Sequence, residues 1–155
     1  LQASIRQTLN NPGATLTGQS STRIVATAIA NRQSGRILSQ CGTVDINTSQ
    51  VLNSQRGLIS SNGTTTITAG SLDHSQQGKL FSSSALSARI SGPLLNQLGL
   101  ISANGDLLPN AASVDNRRAE ISSLGSLTST ARHSDNRAQG RLLANGARQL
   151  DSAHP

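Results

Sequence analysis

Apolar and polar positions along the chain recur in a phrase a little over twenty residues long. Each phrase opens on an Asn-type anchor, reaches a Gly three or four positions on, and then alternates apolar with polar residues through a second Gly-containing corner. The anchors are Asn10, Asn31, Asn53, His74, Asn96, Asn116 and Asn136, at spacings of 21, 22, 21, 22, 20 and 20 residues. Gly13, Gly35, Gly57, Gly78, Gly99 and Gly140 follow them, with Ala119 as the exception, and then comes a column of Ile37, Ile59, Leu80, Ile101, Ile121 and Leu142. The second corner falls at Gly42, Asn62-Gly63, Ser84-Ala85, Asn104-Gly105, Gly125 and Asn145-Gly146. Asn and Gly suit such corners because they tolerate positive φ. Apolar positions resume at Val44, Ile46, Ile67, Leu86, Leu107, Leu108, Leu127 and Leu150, and again at Ile29, Val51, Leu72, Leu94 and Val114, the last column ending in Ser134.

Segments of about four to six residues between corners have the length of strands, and no 3.6-residue stripe competes with them. A repeat this short cannot bury its own apolar face, so the repeats must stack. The pattern predicts an all-β fold, a right-handed parallel β-helix of about seven coils of 20–22 residues with three strands per coil. The anchors Asn31, Asn53, His74, Asn96, Asn116 and Asn136 then lie above one another as a corner ladder of side-chain amides. Residues 1–155 read as one segment of a longer chain, regular over 27–146 and irregular over 1–26 and 147–155. Leu1 reads as a cut within that longer chain, and open sheet edges favour end-to-end self-association of the isolated segment.

Composition narrows the function classes. Leu, Ile, Val and Phe total 35 of 155 residues, whereas Ser, Thr, Asn, Gln and Gly total 75. That is enough for a narrow core repeated in every coil, and the regular spacing argues against a disordered linker. No apolar run approaches the roughly 20 residues of a membrane span, and no signal peptide is present. The net charge is +6, and twelve of the thirteen basic residues are Arg. Arg32, Arg117 and Arg137 each follow an anchor, so stacking would make two basic spots on one edge, suited to a receptor or an anionic glycan. With one Phe and no Trp or Tyr there is no platform for bases, so nucleic acid is not an expected partner.

Candidate chemistry is sparse. Asp73-His74-Ser75 and His133-Ser134-Asp135 hold triad residue types, but adjacent residues point in different directions and His74 occupies an anchor slot. Cys41 sits at a corner, in the slot that Asn62, Asn104, Leu124 and Asn145 fill elsewhere, and has no marked base nearby. No metal-ligand spacing and no phosphate-binding loop is present, so neither cofactor nor metal is expected, and the chain reads as non-enzymatic.

The run Leu52-Asn53-Ser54-Gln55-Arg56-Gly57-Leu58-Ile59-Ser60-Ser61-Asn62-Gly63, followed by Thr66-Ile67-Thr68-Ala69-Gly70-Ser71-Leu72-Asp73, resembles the haemagglutinin repeats of filamentous haemagglutinin and of contact-dependent growth inhibition exoproteins. The resemblance covers residues 27–146. It implies a Gram-negative, secreted, cell-surface protein exported by two-partner secretion through an outer-membrane transporter. It also implies a shaft that holds an adhesive or toxic tip away from the cell. A binding module gripping a target-cell receptor or anionic glycan, through the arginines or through Ser82–Gly92, is the alternative. A β-helical polysaccharide lyase is a third reading, for which the clustered acids, bases and aromatics are missing.

Overall fold

The computed structural model describes residues 1–152 as strands joined by tight turns, with no helix. Long strands of nine or ten residues alternate with short strands of four. The short strands Thr15–Gly18, Arg36–Ser39, Leu58–Ser61, Lys79–Ser82, Leu100–Ala103, Glu120–Ser123 and Arg141–Ala144 form a seven-stranded sheet. The long strands Gln2–Asn10, Thr22–Ala30, Val44–Leu52, Thr65–Asp73, Leu86–Leu95 and Leu107–Asp115 form the second sheet. It continues through Leu127–Ala131, His133–Asp135 and Arg148–Ser152. Every pairing is parallel and joins each strand to its equivalent one repeat away, as in Ile37↔Ile59 and Ile46↔Ile67. The chain is a parallel β-solenoid of about seven turns, as the repeat predicts.

Each coil has two strands where the sequence predicts three. The second and third predicted segments run together into one long strand, because the corner between them carries no Asn-Gly turn and the backbone stays paired through it. Inward residues instead change phase there. In Val44–Leu52 the buried positions are Val44, Ile46, Thr48 and Val51, with a step of three between the last two. A step of three in a period-two strand requires a bend. Pairing slips at the same place between Ala69 and Leu72 and between Ala111 and Ser113.

The apolar files run the length of the stack. Ile37, Ile59, Leu80, Ile101 and Ile121 line the short-strand side, and Ile29, Val51, Leu72, Leu94 and Val114 line the far half of the long strands, all buried. Alternation places Leu107 inside and Leu108 outside, so only the first of that pair belongs to the core. In the last coil Arg132 interrupts the long strand, Ser134 is exposed where Val114 is buried, and Leu150 is half exposed.

Three details differ from the sequence reading. Residues 1–26 repeat loosely, yet Thr15–Gly18 and Thr22–Ala30 pair in full register with the coil above. Leu16 supplies the inward aliphatic that the repeat requires there. At the other end Arg148–Ser152 pairs with Leu127–Ala131, and residues 153–155 lie outside the described part of the chain. The exposed Cys41 occupies no shared slot. Residues 40–43 link Ser39 to Val44 where residues 62–64 link Ser61 to Thr65, so this corner is longer and Gln40 takes the position below Asn62.

Inward and outward residues of one short strand should differ sharply in cost. Ile59→Ala is expected to destabilise the chain by about 2–5 kcal/mol through lost burial and a residual cavity. Ser60→Ala, on the outer face, should stay within about 0.5 kcal/mol. Equilibrium urea unfolding measures both, and equal losses would contradict the assigned facing.

Candidate functional site: the anchor ladder and the arginine edge

The anchor side chains turn inward at the mouth of the turn that joins each long strand to the next short one. Asn31, Asn53, His74, Asn96 and Asn116 are fully buried. The first member of the column is Asn11 rather than Asn10. Asn11 is 2% exposed and its Nδ2 donates to Asn31 Oδ1 at 2.7 Å. Gly13 misleads the sequence reading because it fills the left-handed turn position, while Ala14 stands in the slot of Gly35.

One hydrogen-bond pattern repeats up the column. Where the anchor above is an Asn, the amide Nδ2 donates to its Oδ1 and to the main-chain carbonyl that opens the short strand above. Asn31 donates to Asn53 Oδ1 at 2.6 Å and Leu58 O at 2.9 Å. Asn96 donates to Asn116 Oδ1 at 2.8 Å and Glu120 O at 3.1 Å. Asn116 donates to Asn136 Oδ1 at 2.6 Å and Arg141 O at 2.9 Å. Beside the ladder the turns hold non-Gly residues at positive φ, among them Gln55 at 52° and Arg56 at 64°. Such residues cost about 1–2 kcal/mol each, and stacked bonds such as Arg56 N to Gln76 O at 3.0 Å hold them in place. Gly57 is required for a different reason: a Cβ there would collide with the Asn31 carbonyl oxygen and Asn53 Oδ1.

His74 is the one imidazole in the column. Its Nδ1 lies 3.0 Å from Asn53 Nδ2 and its Nε2 lies 2.9 Å from Leu100 O. A carbonyl only accepts, so Nε2 carries the proton and Nδ1 accepts from Asn53. The ring's single N–H is thereby used, and the buried Asn96 Oδ1 above it has no donor. Burial holds the imidazole down from 6.5 to about 4, with the Leu100 carbonyl bond and the Asp73 charge acting in the opposite direction. Ser75 donates to Asp73 through both its N–H at 3.0 Å and its Oγ at 2.6 Å, so Ser75 Oγ is engaged away from the imidazole. His133, Ser134 and Asp135 lie on the interrupted strand, where Asp135 is held by Arg137.

The three arginines do follow their anchors on one edge, but their electrostatic settings differ. Arg32 is exposed and makes no ion pair among the described residues. Arg117 binds Asp115 through Nε at 2.9 Å and Nη2 at 2.8 Å, and its Nε lies 3.6 Å from Asp135. Arg137 grips Asp135 in the same two-pronged manner, at 3.0 and 2.8 Å. Asp115-Asn116-Arg117 and Asp135-Asn136-Arg137 therefore form an alternating column of charge rather than a basic spot. In both, the carboxylate also accepts the Arg N–H, so it caps the turn. The sequence reading missed this role of the Asp before the anchor, although the repeated Asp-Asn-Arg tripeptide was its signal.

The described residues also line several concavities. A shallow groove of about 810 Å³ runs along the bend of the long strands, past Thr48, Thr68, Arg89, Ile90, Asn110 and Thr130. Ser82–Gly92, which contributes Arg89 and Ile90, is paired strand over most of its length, with Ser82 Oγ buried and bonded to Gly63 O at 2.7 Å. A recess of about 620 Å³ lies where the turns shorten, between Arg118, Glu120 and Arg141. Residues 97–99 and 117–119 link anchor to strand there, against 75–78 and 137–140 in the coils on either side. Among the described residues no three His, Cys, Asp or Glu side chains gather as metal ligands, and no helix is long and apolar enough to cross a membrane.

No family model matches the chain, and neither a curated protein nor a solved structure matches it.

Two measurements probe these columns. Asn116→Ala would leave Asn136 Oδ1 and Arg141 O without donors, and unfolding should show a loss of about 2–4 kcal/mol; a loss below about 0.5 kcal/mol would contradict the ladder. Arg137 and its N–H hold the Asp135 carboxyl down from 3.8 to about 2. This depressed value makes the pairing fully effective above the ordinary carboxylate range and removes it as pH falls toward 2. Carboxyl NMR should give a midpoint of about 2 that rises in Arg137→Ser; a native midpoint at the ordinary 3.8 would rule the pairing out.

Proposed function

We propose that the chain is a length of shaft in a large exported surface protein, a spacer that holds an adhesive or toxic tip away from the cell. The observation that carries this reading is the continuity of the stack. Both sheets continue, strand upon strand, from the first described strands to the last, so every repeat adds about 5 Å of rod. The buried aliphatics lie in the internal files, and the outer face is largely Ser, Thr, Asn, Gln and Arg, with Val25, Leu95, Leu98, Leu108, Leu124 and Leu143 exposed among them. The likeness of the Asn53–Asp73 phrase to haemagglutinin repeats supports placing that rod in an adhesin or growth-inhibition exoprotein, delivered by two-partner secretion to the outside of the outer membrane.

The groove past Thr48, Thr68, Arg89, Asn110 and Thr130 favours a second reading, in which this segment itself grips a receptor or an anionic glycan. It crosses five coils and presents one cation, Arg89, amid hydroxyl and amide groups.

One experiment separates the two. Arg32, Arg89, Arg117 and Arg137 are replaced by Ser in the parent protein, and export and adhesion to target cells are assayed together. A spacer predicts that both are retained. Normal export with adhesion reduced tenfold or more would overturn the spacer reading in favour of the binding module.

A further inference from the structure

We propose that the coil opened by His74 is a built-in joint, the place where the rod opens first, and that acid opens it.

Hydrogen-bond direction carries the argument. The amide column consists of two runs, Asn11 to Asn31 to Asn53 to His74, and Asn96 to Asn116 to Asn136. Within each run a donor below meets an acceptor above. Between the runs no bond joins side chain to side chain: the single N–H of His74 reaches the coil above at Leu100 O, and Asn96 Oδ1 is left buried and unbonded. An orphaned acceptor in a dry site weakens the contact that encloses it. Two further changes coincide with this boundary. The anchor turn shortens from residues 75–78 to residues 97–99, and the long strand Leu86–Leu95 has ten residues, with Gly92-Pro93 at its bend.

Protonation would strike the other side of the same ring, its contact with the coil opened by Asn53. A proton on His74 Nδ1 faces the Asn53 amide N–H, donor against donor. Asn53 cannot turn its amide to accept it without abandoning Lys79 O and presenting a second N–H to the Asn31 amide below. The whole lower run would have to invert, so opening is the available response.

The ring's charged neighbours offer little compensation. Asp73 acts on it from its own strand, and Leu52 below and Leu95 above occupy the positions equivalent to Asp73. Around the turns stand Ser54, Gln55 and Arg56 below, Ser75, Gln76 and Gln77 alongside, and Gln97 and Leu98 above. The short strands begin with Leu58, Lys79 and Leu100. Arg56 and Lys79 are exposed. The buried ring resists protonation down to about 4, against 6.5 when unfolded. The stability it contributes is therefore complete above 6.5 and is lost as pH falls toward 4.

Hydrogen exchange with mass spectrometry on the intact chain, corrected for intrinsic rates, tests the joint. Between about pH 7 and about pH 4.5, protection in residues 72–82 and in the flanking 53–61 and 94–103 should fall roughly 60-fold, from the linkage of those two values. Protection in residues 36–52 and 120–131 should change far less. Uniform loss along the chain, or no loss, would overturn the proposal. In H74N the new amide can donate to both Leu100 O and Asn96 Oδ1, so the selective loss should vanish, and its persistence would overturn the proposal too. The native pH series decides the question by itself if H74N folds poorly.

Discussion

A side-chain amide that donates upward and accepts from below is what the stacking of this molecule depends on. In–out alternation alone permits a slip of two residues within a straight run of strand, because it returns every side chain to its own face. The anchor column does not permit it. Asn31 reaches both Asn53 Oδ1 and Leu58 O from one nitrogen, and a slipped coil would offer neither. The ladder therefore converts a sheet that is merely alternating into one with a single register. It also explains the demand for glycine at positions such as Gly57, where the anchor and the carbonyl of the coil below leave no room for a Cβ.

A narrow core makes such polar ladders more important than they would be in a thicker domain. Each coil contributes few large aliphatics, and buried Ser, Thr and Asn occupy the corners between them. At the second corner Ser61 Oγ bonds Thr65 Oγ1 at 2.8 Å and Gly63 O at 2.8 Å. Ser39, one coil lower, faces Val44 at the position of Thr65 and has no partner for its buried Oγ. The two orphaned buried side-chain atoms among the described residues, Ser39 Oγ and Asn96 Oδ1, thus both follow from one residue departing from its column. Regularity is a set of local pairings, and each departure has a local consequence.

Most of the fold was legible in the repeat. The anchors from Asn31 onward, the aliphatic file from Ile37 to Ile121 and the Asn-Gly corners all fall where the spacing placed them, because a stack forces equivalent residues into equivalent surroundings. Three features were not legible. The bend that merges two segments carries no turn signature, since Ser49-Gln50, Gly70-Ser71 and Ala112-Ser113 include no Asn-Gly pair. Asn10 and Asn11 are adjacent, and only hydrogen bonding chooses between them. The arginines of the edge were visible as charges, but their neutralisation depends on the preceding Asp curling back over the turn, a relation within one coil that a comparison of columns does not reveal.

The candidate chemistry of the described residues reduces to turns, columns and surface grooves. The central claim is that neighbouring coils are coupled through their anchors, and a double-mutant cycle across Asn31 and Asn53 tests it most directly. With Asn31→Ala, Asn53→Ala and the double variant compared by equilibrium urea unfolding, a coupling energy of about 1–3 kcal/mol is expected for two residues in one buried network. Additive losses, with coupling below about 0.3 kcal/mol, would contradict it.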